Sequence, residues 1–392
     1  MTREAKLLLP VLLGFFVMGF GDIIGTVMNQ VTEDCAANAG TIRFWMPIFT
    51  YVWFLLISLP TAVLAGRIGR KRTVLVSLAV TLAGLLVPLA ASPARWRLYL
   101  VAFALLGVGN TVIQAALPAL LAGVSDPGRV TSRLSLGQFV KAICAAVTPL
   151  VVWAAAKVLG DWRLVFPFYA ALTLAAAAAL AAMPYREPPA AAGAAASLGA
   201  TLALLRRPFI LAMTVGIFFS VGADVGFAVA IPAYLKGVFH VDRNLAGAGP
   251  TVYFVAKTLS AFAGAVLFAR VSPARCFPWL MGAGVLGTAS MAFLGSPVAF
   301  LAAVFAVALL TGNSFGLCMG QAIDRFPAQA NGISALMVMA IVGGGAVSAL
   351  FAPVERCWGP AGILALLAGC LGYLTLAGCF AGGRAATKGA AA

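Results

Sequence analysis

Apolar stretches about twenty residues long follow one another from Leu7 to Ala381, each closed by charges, Gly or Pro. A helix needs about 20 such residues to cross a bilayer, so this repetition decides the solvent before any other feature is considered. Hydrophobic residues are 62% of the chain and charged residues 9%, against roughly 45–50% and about 25% in a soluble domain. A water-facing surface cannot be built from that supply of charge. The stretches predict spans near 7–29, 44–66, 73–92, 97–123, 132–157, 163–183, 208–235, 246–270, 277–295, 298–322, 329–354 and 360–381. Twelve spans sharing 392 residues leave only short connections and no room for a soluble domain. The expected fold class is therefore an all-α membrane protein.

The net charge of +15 follows from orientation. With the first residues inside, the inner connections hold sixteen Lys and Arg and the outer ones eight. That bias predicts both termini in the cytoplasm and requires no nucleic acid partner. The opening Arg3, Lys6 and apolar run imitate a signal peptide, but Asp22 interrupts where a cleavage site is expected, so the run is read as the first span. The seven cysteines (35, 144, 276, 318, 357, 370 and 379) contain no CxxC pair and lie mostly in apolar runs. They are expected to pack as small apolar groups, with neither a disulfide framework nor a metal site.

The stretch 184–207, rich in Ala and Pro, divides the chain into an expected N-terminal bundle (1–183), a cytoplasmic linker and a C-terminal bundle (208–392). Leu198, Leu202 and Leu205 share one side ahead of Arg206 and Arg207, which suits a short helix on the inner membrane surface. The two halves repeat. Gly14–Asp22 (GFFVMGFGD) matches Gly216–Asp224 (GIFFSVGAD), Arg67 matches Arg270, and Gly109-Asn110-Thr111 matches Gly312-Asn313-Ser314, at offsets of 202 and 203. Parallel repeats of this kind predict two pseudo-symmetric six-helix bundles and a binding site near mid-membrane where the repeats meet.

These residues resemble the major facilitator superfamily. Ala65-Gly66-Arg67-Ile68-Gly69-Arg70-Lys71 is similar to its signature loop between spans two and three, which supplies a gating latch. Gly66 stands where the signature has Asp, and Ala62 where it has its first Gly. Gly19-Phe20-Gly21-Asp22, Gly107-Val108-Gly109-Asn110 through Gln114 and Pro118, and Gly137-Gln138-Phe139-Val140-Lys141 resemble the fucose permease-like sugar/proton symporters. The likeness implies sugar uptake coupled to protons through acids in spans one and four. Asp22 fits the first position, whereas span four offers Asn110 and Gln114.

Ionised groups at membrane depth are costly and mark function by default. Asp22, Lys141, Asp224 and Lys257 are four such groups. At 1.5 Å rise per residue, Asp224 lies about 25 Å along its helix from Arg207 and Lys257 about 20 Å from Arg270, depths that suit a pair. A structural ion pair explains them as well as a gating or substrate role does. Lys141, about 12 Å from Arg133, reaches Asp22 only through tilt or a long side chain. Asp22 and Asp224 are the candidate proton carriers, since a carboxyl in a low-dielectric cavity titrates nearer neutrality. For Asp22 the alternative is an acceptor of interhelical hydrogen bonds.

Asn110 and Gln114 share a face of span four, Asn313 and Gln321 roughly share a face of span ten, and Gln138 lies three before Lys141. Such amides suit a polyhydroxylated ligand, although helix-to-helix bonding would also account for them. Tyr253, Tyr51, Trp45 and Trp53 are candidates to stack on a sugar ring, with Trp45 equally placed as an interfacial anchor. Gly343-Gly344-Gly345 lacks the Lys and Ser/Thr of a phosphate loop and reads as close helix packing. A single histidine, His240, and no nucleotide motif exclude a catalytic triad and ATP-driven transport.

The expectation is a secondary transporter of the bacterial cytoplasmic membrane. It takes up a monosaccharide or small polyol with protons as the coupling ion, works as a monomer, and uses no cofactor or enzymatic chemistry. The alternatives are a sugar uniporter, a proton-linked exporter of small amphiphiles, and a membrane receptor that does not transport.

Overall fold

The computed structural model describes residues 3–20, 24–126, 128–185 and 197–389. Its helices are α1 (Arg3–Met18), α2 (Ile24–Asp34), α3 (Ala39–Leu56), α4 (Ser58–Ile68), α5 (Arg70–Leu86), α6 (Arg97–Gly123), α7 (Val130–Val158), α8 (Val165–Ala182) and α9 (Leu198–Ala203). The second half adds α10 (Pro208–Gly237), α11 (Arg243–Leu267), α12 (Pro273–Ser290), α13 (Pro297–Thr311), α14 (Ser314–Arg325), α15 (Ala330–Met339), α16 (Gly343–Ser348) and α17 (Phe351–Gly389). Among the described residues, eleven segments are long and apolar enough to cross a membrane, and Leu7–Met18 is a shorter apolar helix belonging to the first span. The architecture is that of a twelve-span, all-helical membrane protein.

Several spans are composite for local reasons. Pro60 lacks a donor and its ring displaces the carbonyl four residues earlier, so the second span breaks at Ile57 into α3 and α4. The tenth span breaks at Gly312-Asn313, between α13 and α14. Gly359, at φ 65°, followed by Pro360, kinks α17 near the start expected for the last span. Polar residues inside spans settle their hydroxyls on the carbonyl one turn back, as Thr50 does on Met46, Thr148 on Cys144 and Thr311 on Val307, each at 2.8 Å. That bonding makes them tolerable in lipid without a partner helix.

The first connection differs from the expected one. The apolar runs place the end of span one at 29 and the start of span two at 44, but α2 continues to Asp34 and α3 begins at Ala39. The carboxylate of Asp34 accepts from Trp162 Nε1 at 3.0 Å and Arg163 Nη2 at 2.8 Å, and Arg163 Nε donates to the Tyr99 hydroxyl at 3.0 Å. Tertiary bonds from the turn just ahead of α8, itself braced by Tyr99 of α6, therefore hold the extra turn in place. Burial raises the thiol pKa of neighbouring Cys35, with Asp34 adding to the effect and Arg163 opposing it.

The chain divides into two compact units. The first comprises Met1–Asp126, Gly137–Ala203 and Phe326–Met339; the second comprises Pro127–Leu136, Leu204–Arg325 and Ala340–Ala392. Each unit thus contains a short piece of the opposite half of the sequence. In the first unit α5 packs on α6 and α8, and α6 on α3 and α1; in the second, α12 packs on α13 and α17, α13 on α11, and α10 on α14 and α17. The same scheme of helix pairs recurs at the equivalent positions, which is the internal repeat seen in the sequence. In the glycine run of α16, a Cβ on Gly343 would fall 2.1 Å from the Phe218 carbonyl oxygen of α10, so backbone contact excludes any side chain there. The run serves helix packing.

Candidate functional site

In the second unit, α10 carries Asp224 at mid-helix and α11 carries Tyr253 and Lys257, four residues apart on one face. Lys257 Nζ donates to Asp224 Oδ2 at 2.5 Å, and the Tyr253 hydroxyl donates to Asp224 Oδ1 at 2.6 Å. Each carboxylate oxygen therefore has its own donor. The pair retains access to its surroundings, the Asp224 and Lys257 side chains being 17% and 30% exposed. Tyr253 is buried, with its ring stacked on Phe227 at 5.1 Å and 24°. The stem of Lys257 runs along the break between α13 and α14, where a Cβ on Gly312 would lie 3.0 Å from Lys257 Cγ. The structure thus joins Asp224 and Lys257, the two groups whose depths suggested a pair.

The repeat-related acid, Asp22, lies outside the described residues. The chain ahead of it is described through Phe20. A Cβ on Gly19 would stand 2.4 Å from the Lys141 carbonyl oxygen and 2.7 Å from Cys144 Cβ, so the end of the first span runs against α7 at Lys141. Beyond it, Phe20 packs on Tyr169 at 4.5 Å, and the Tyr169 hydroxyl shares a short hydrogen bond with Thr148.

The amides diverge. On α6, Gln114 Nε2 donates to Asn110 Oδ1 at 3.3 Å within the same helix. Asn110 also lines a cavity of about 20 Å³ together with Thr50, Thr81, Met18 and Phe20, a space of about one water molecule. On the second half, Asn313 Nδ2 donates to both the carbonyl and, at 3.0 Å, the hydroxyl oxygen of Ser260. Its side chain rests over Gly264, where a Cβ would collide at 2.4 Å. Ser260 was not singled out from the sequence, although it stands three residues after Lys257. Gln321 is buried on α14 with its Nε2 unpartnered among the described residues, and Gln138 is half-buried on α7. Trp45 and Tyr51 are exposed on α3, at 42% and 44%, while Trp53 Nε1 is buried without a partner among the described residues.

The loop resembling the superfamily signature adopts a specific geometry. Gly69 has φ 92° and ψ 154°, a conformation open essentially only to Gly, and it turns α4 into α5. Arg70 Nε donates to Asn331 Oδ1 on α15 at 2.8 Å, and its Nη1 to the Ala119 carbonyl at 3.0 Å. Lys71 Nζ donates to the carbonyls of Ala181 and Met183 at 2.8 and 2.7 Å, capping the C-terminus of α8. Arg67 is exposed. Asn331, a neutral partner for Arg70, had no signal in spacing or repeat. Among the described residues no group of three or more His, Cys, Asp or Glu is placed to hold a metal ion.

The family model of the Major Facilitator Superfamily matches residues 11–353. No curated protein sequence matches the chain. Among solved structures, the E. coli fucose:proton symporter FucP superposes with TM-score 0.84 at 17% identity, covering 97% of this chain and 99% of that one. A bacterial homologue of the iron transporter ferroportin, in an outward-facing state, gives 0.78 at 12% identity over 98% and 100% of the two chains. The proton:xylose symporter XylE gives 0.69 at 13% identity over 95% and 94%. At these identities the likeness is one of fold. With the family model covering most of its length, this chain belongs to the Major Facilitator Superfamily.

Proposed function

We propose that the protein is a secondary active transporter that takes up a monosaccharide or similar small polyol together with protons, by alternating access. The observation that carries the reading is the Asp224–Lys257–Tyr253 cluster: a carboxylate at mid-helix in a membrane span, held by one cation and one hydroxyl, and still accessible. An acid so placed changes its partners when it takes a proton, and a change of partners is what links proton loading to a conformational equilibrium. Asp22, the repeat mate of Asp224, is assigned the corresponding role in the first half. The fucose:proton and proton:xylose symporters among the fold relatives support sugar and proton as the two cargoes.

The test is reconstitution of Asp22→Asn and Asp224→Asn in liposomes. Asn copies the neutral acid in shape, so each variant is expected to exchange sugar across the membrane while losing accumulation driven by a pH gradient. Gradient-driven accumulation retained in both well-folded variants would contradict the proposal.

A further inference from the structure

We propose that the substrate is an acidic polyol, a uronate or aldonate whose carboxylate is received by the ammonium of Lys257. The inference rests on the role assigned to Asp224 above and narrows the substrate class for it.

The cluster holds its charges unequally. Asp224 has two donors, Lys257 on one oxygen and Tyr253 on the other. Among the described residues Lys257 makes one hydrogen bond, to Asp224, and an ammonium has three N–H groups. Its side chain is also the more exposed of the pair, at 30% against 17%. The stem lies beside Gly312 at the break in the tenth span, where a Cβ would stand 3.0 Å from Lys257 Cγ. The ammonium is therefore positioned, accessible and only partly satisfied.

Loading a proton makes this inequality consequential. When a proton from the outer solution binds Asp224, the carboxyl becomes neutral and keeps Tyr253 as a neighbour. Lys257 keeps its own proton and loses its counter-charge. A lone cation in a span is costly even on the mildest insertion scale. Hydroxyl groups of a neutral sugar do not remove that charge. A substrate carboxylate does, through a charge-assisted hydrogen bond to the N–H that Asp224 releases. No covalent bond forms or breaks, and the only transfer is one proton onto one carboxylate oxygen. Proton and acid then favour each other's binding, because each relieves the cost that the other leaves.

Binding of D-glucuronate, D-galacturonate and D-gluconate to the purified protein, beside D-glucose, D-galactose and D-glucitol, tests the assignment. At least one acid is expected to bind about tenfold more tightly than its neutral parent, the scale of one charge-assisted hydrogen bond. Asp224→Asn, which leaves Lys257 without its carboxylate, should tighten the acid further. The double variant Asp224→Asn with Lys257→Met has no buried charge left to destabilise it and should bind acid and neutral parent equally. Neutral sugars binding as well as the acids, or a preference for the acids that survives in the double variant, would overturn the inference while sparing sugar transport. Binding of neither class, with binding of an amphiphilic cation such as tetraphenylphosphonium, would overturn both.

Discussion

Asn110 and Asn313 occupy equivalent places in the two halves, 203 residues apart and each following a glycine, yet their amides do different things. Among the described residues Asn110 is bonded along its own helix, by Gln114 at 3.3 Å, and it borders a water-sized cavity. Asn313 is bonded across helices to Ser260 and seated over Gly264, tying the break of the tenth span to α11. The charged cluster lies beside that tie, since Lys257 is one turn before Ser260. A repeat thus conserves position while leaving chemistry free: in the first half the amide faces space, and in the second it steadies the helix that presents the cation.

The comparison breaks most visibly at the ion pair. Removing one partner of a fully buried pair costs about 3–5 kcal/mol, and the residual exposure here lowers the expectation to about 2–3 kcal/mol. Lys257→Met alone should show that loss in thermal unfolding of the detergent-purified protein, and Asp224→Asn added to it should recover most of it. Two losses that simply add would mean that the residues do not depend on each other. Asn313→Ala comes next, at about 1–3 kcal/mol, because two interhelical hydrogen bonds are lost and Ser260 is left unpaired. The same change at Asn110 should be smallest, about 1 kcal/mol or less in stability, since among the described residues one long hydrogen bond within a helix is lost. Its effect should instead appear as weaker sugar binding. Equal stability losses at Asn110 and Asn313 would remove the distinction between the two halves.

Much of this was legible in the sequence because membrane depth and helical rise are one-dimensional quantities. Counting residues from Arg207 and Arg270 was enough to set Asp224 and Lys257 level, and the GFFVMGFGD and GIFFSVGAD segments exposed the repeat. What failed to show was lateral. Rise along a helix does not tell which neighbour an amide meets, so Ser260 as the partner of Asn313 and Asn331 as the partner of Arg70 were missed. The extension of α2 to Asp34 was missed for the same reason, being held by Trp162 and Arg163 from far along the chain. Asn313 also shows that a polar residue on the expected face of a span can have its amide nitrogen held by a neighbouring helix. Its amide nitrogen is committed to Ser260, whereas Asn110 borders a cavity.

Substrate-driven proton movement in liposomes containing the unaltered protein tests the central claim of coupled uptake most directly. With a pH dye trapped inside and no gradient imposed, adding an external substrate from the panel of sugars and sugar acids should acidify the lumen, at a rate that saturates with substrate. Substrate entry measured in parallel with no change in lumenal pH would contradict proton coupling and leave a uniporter.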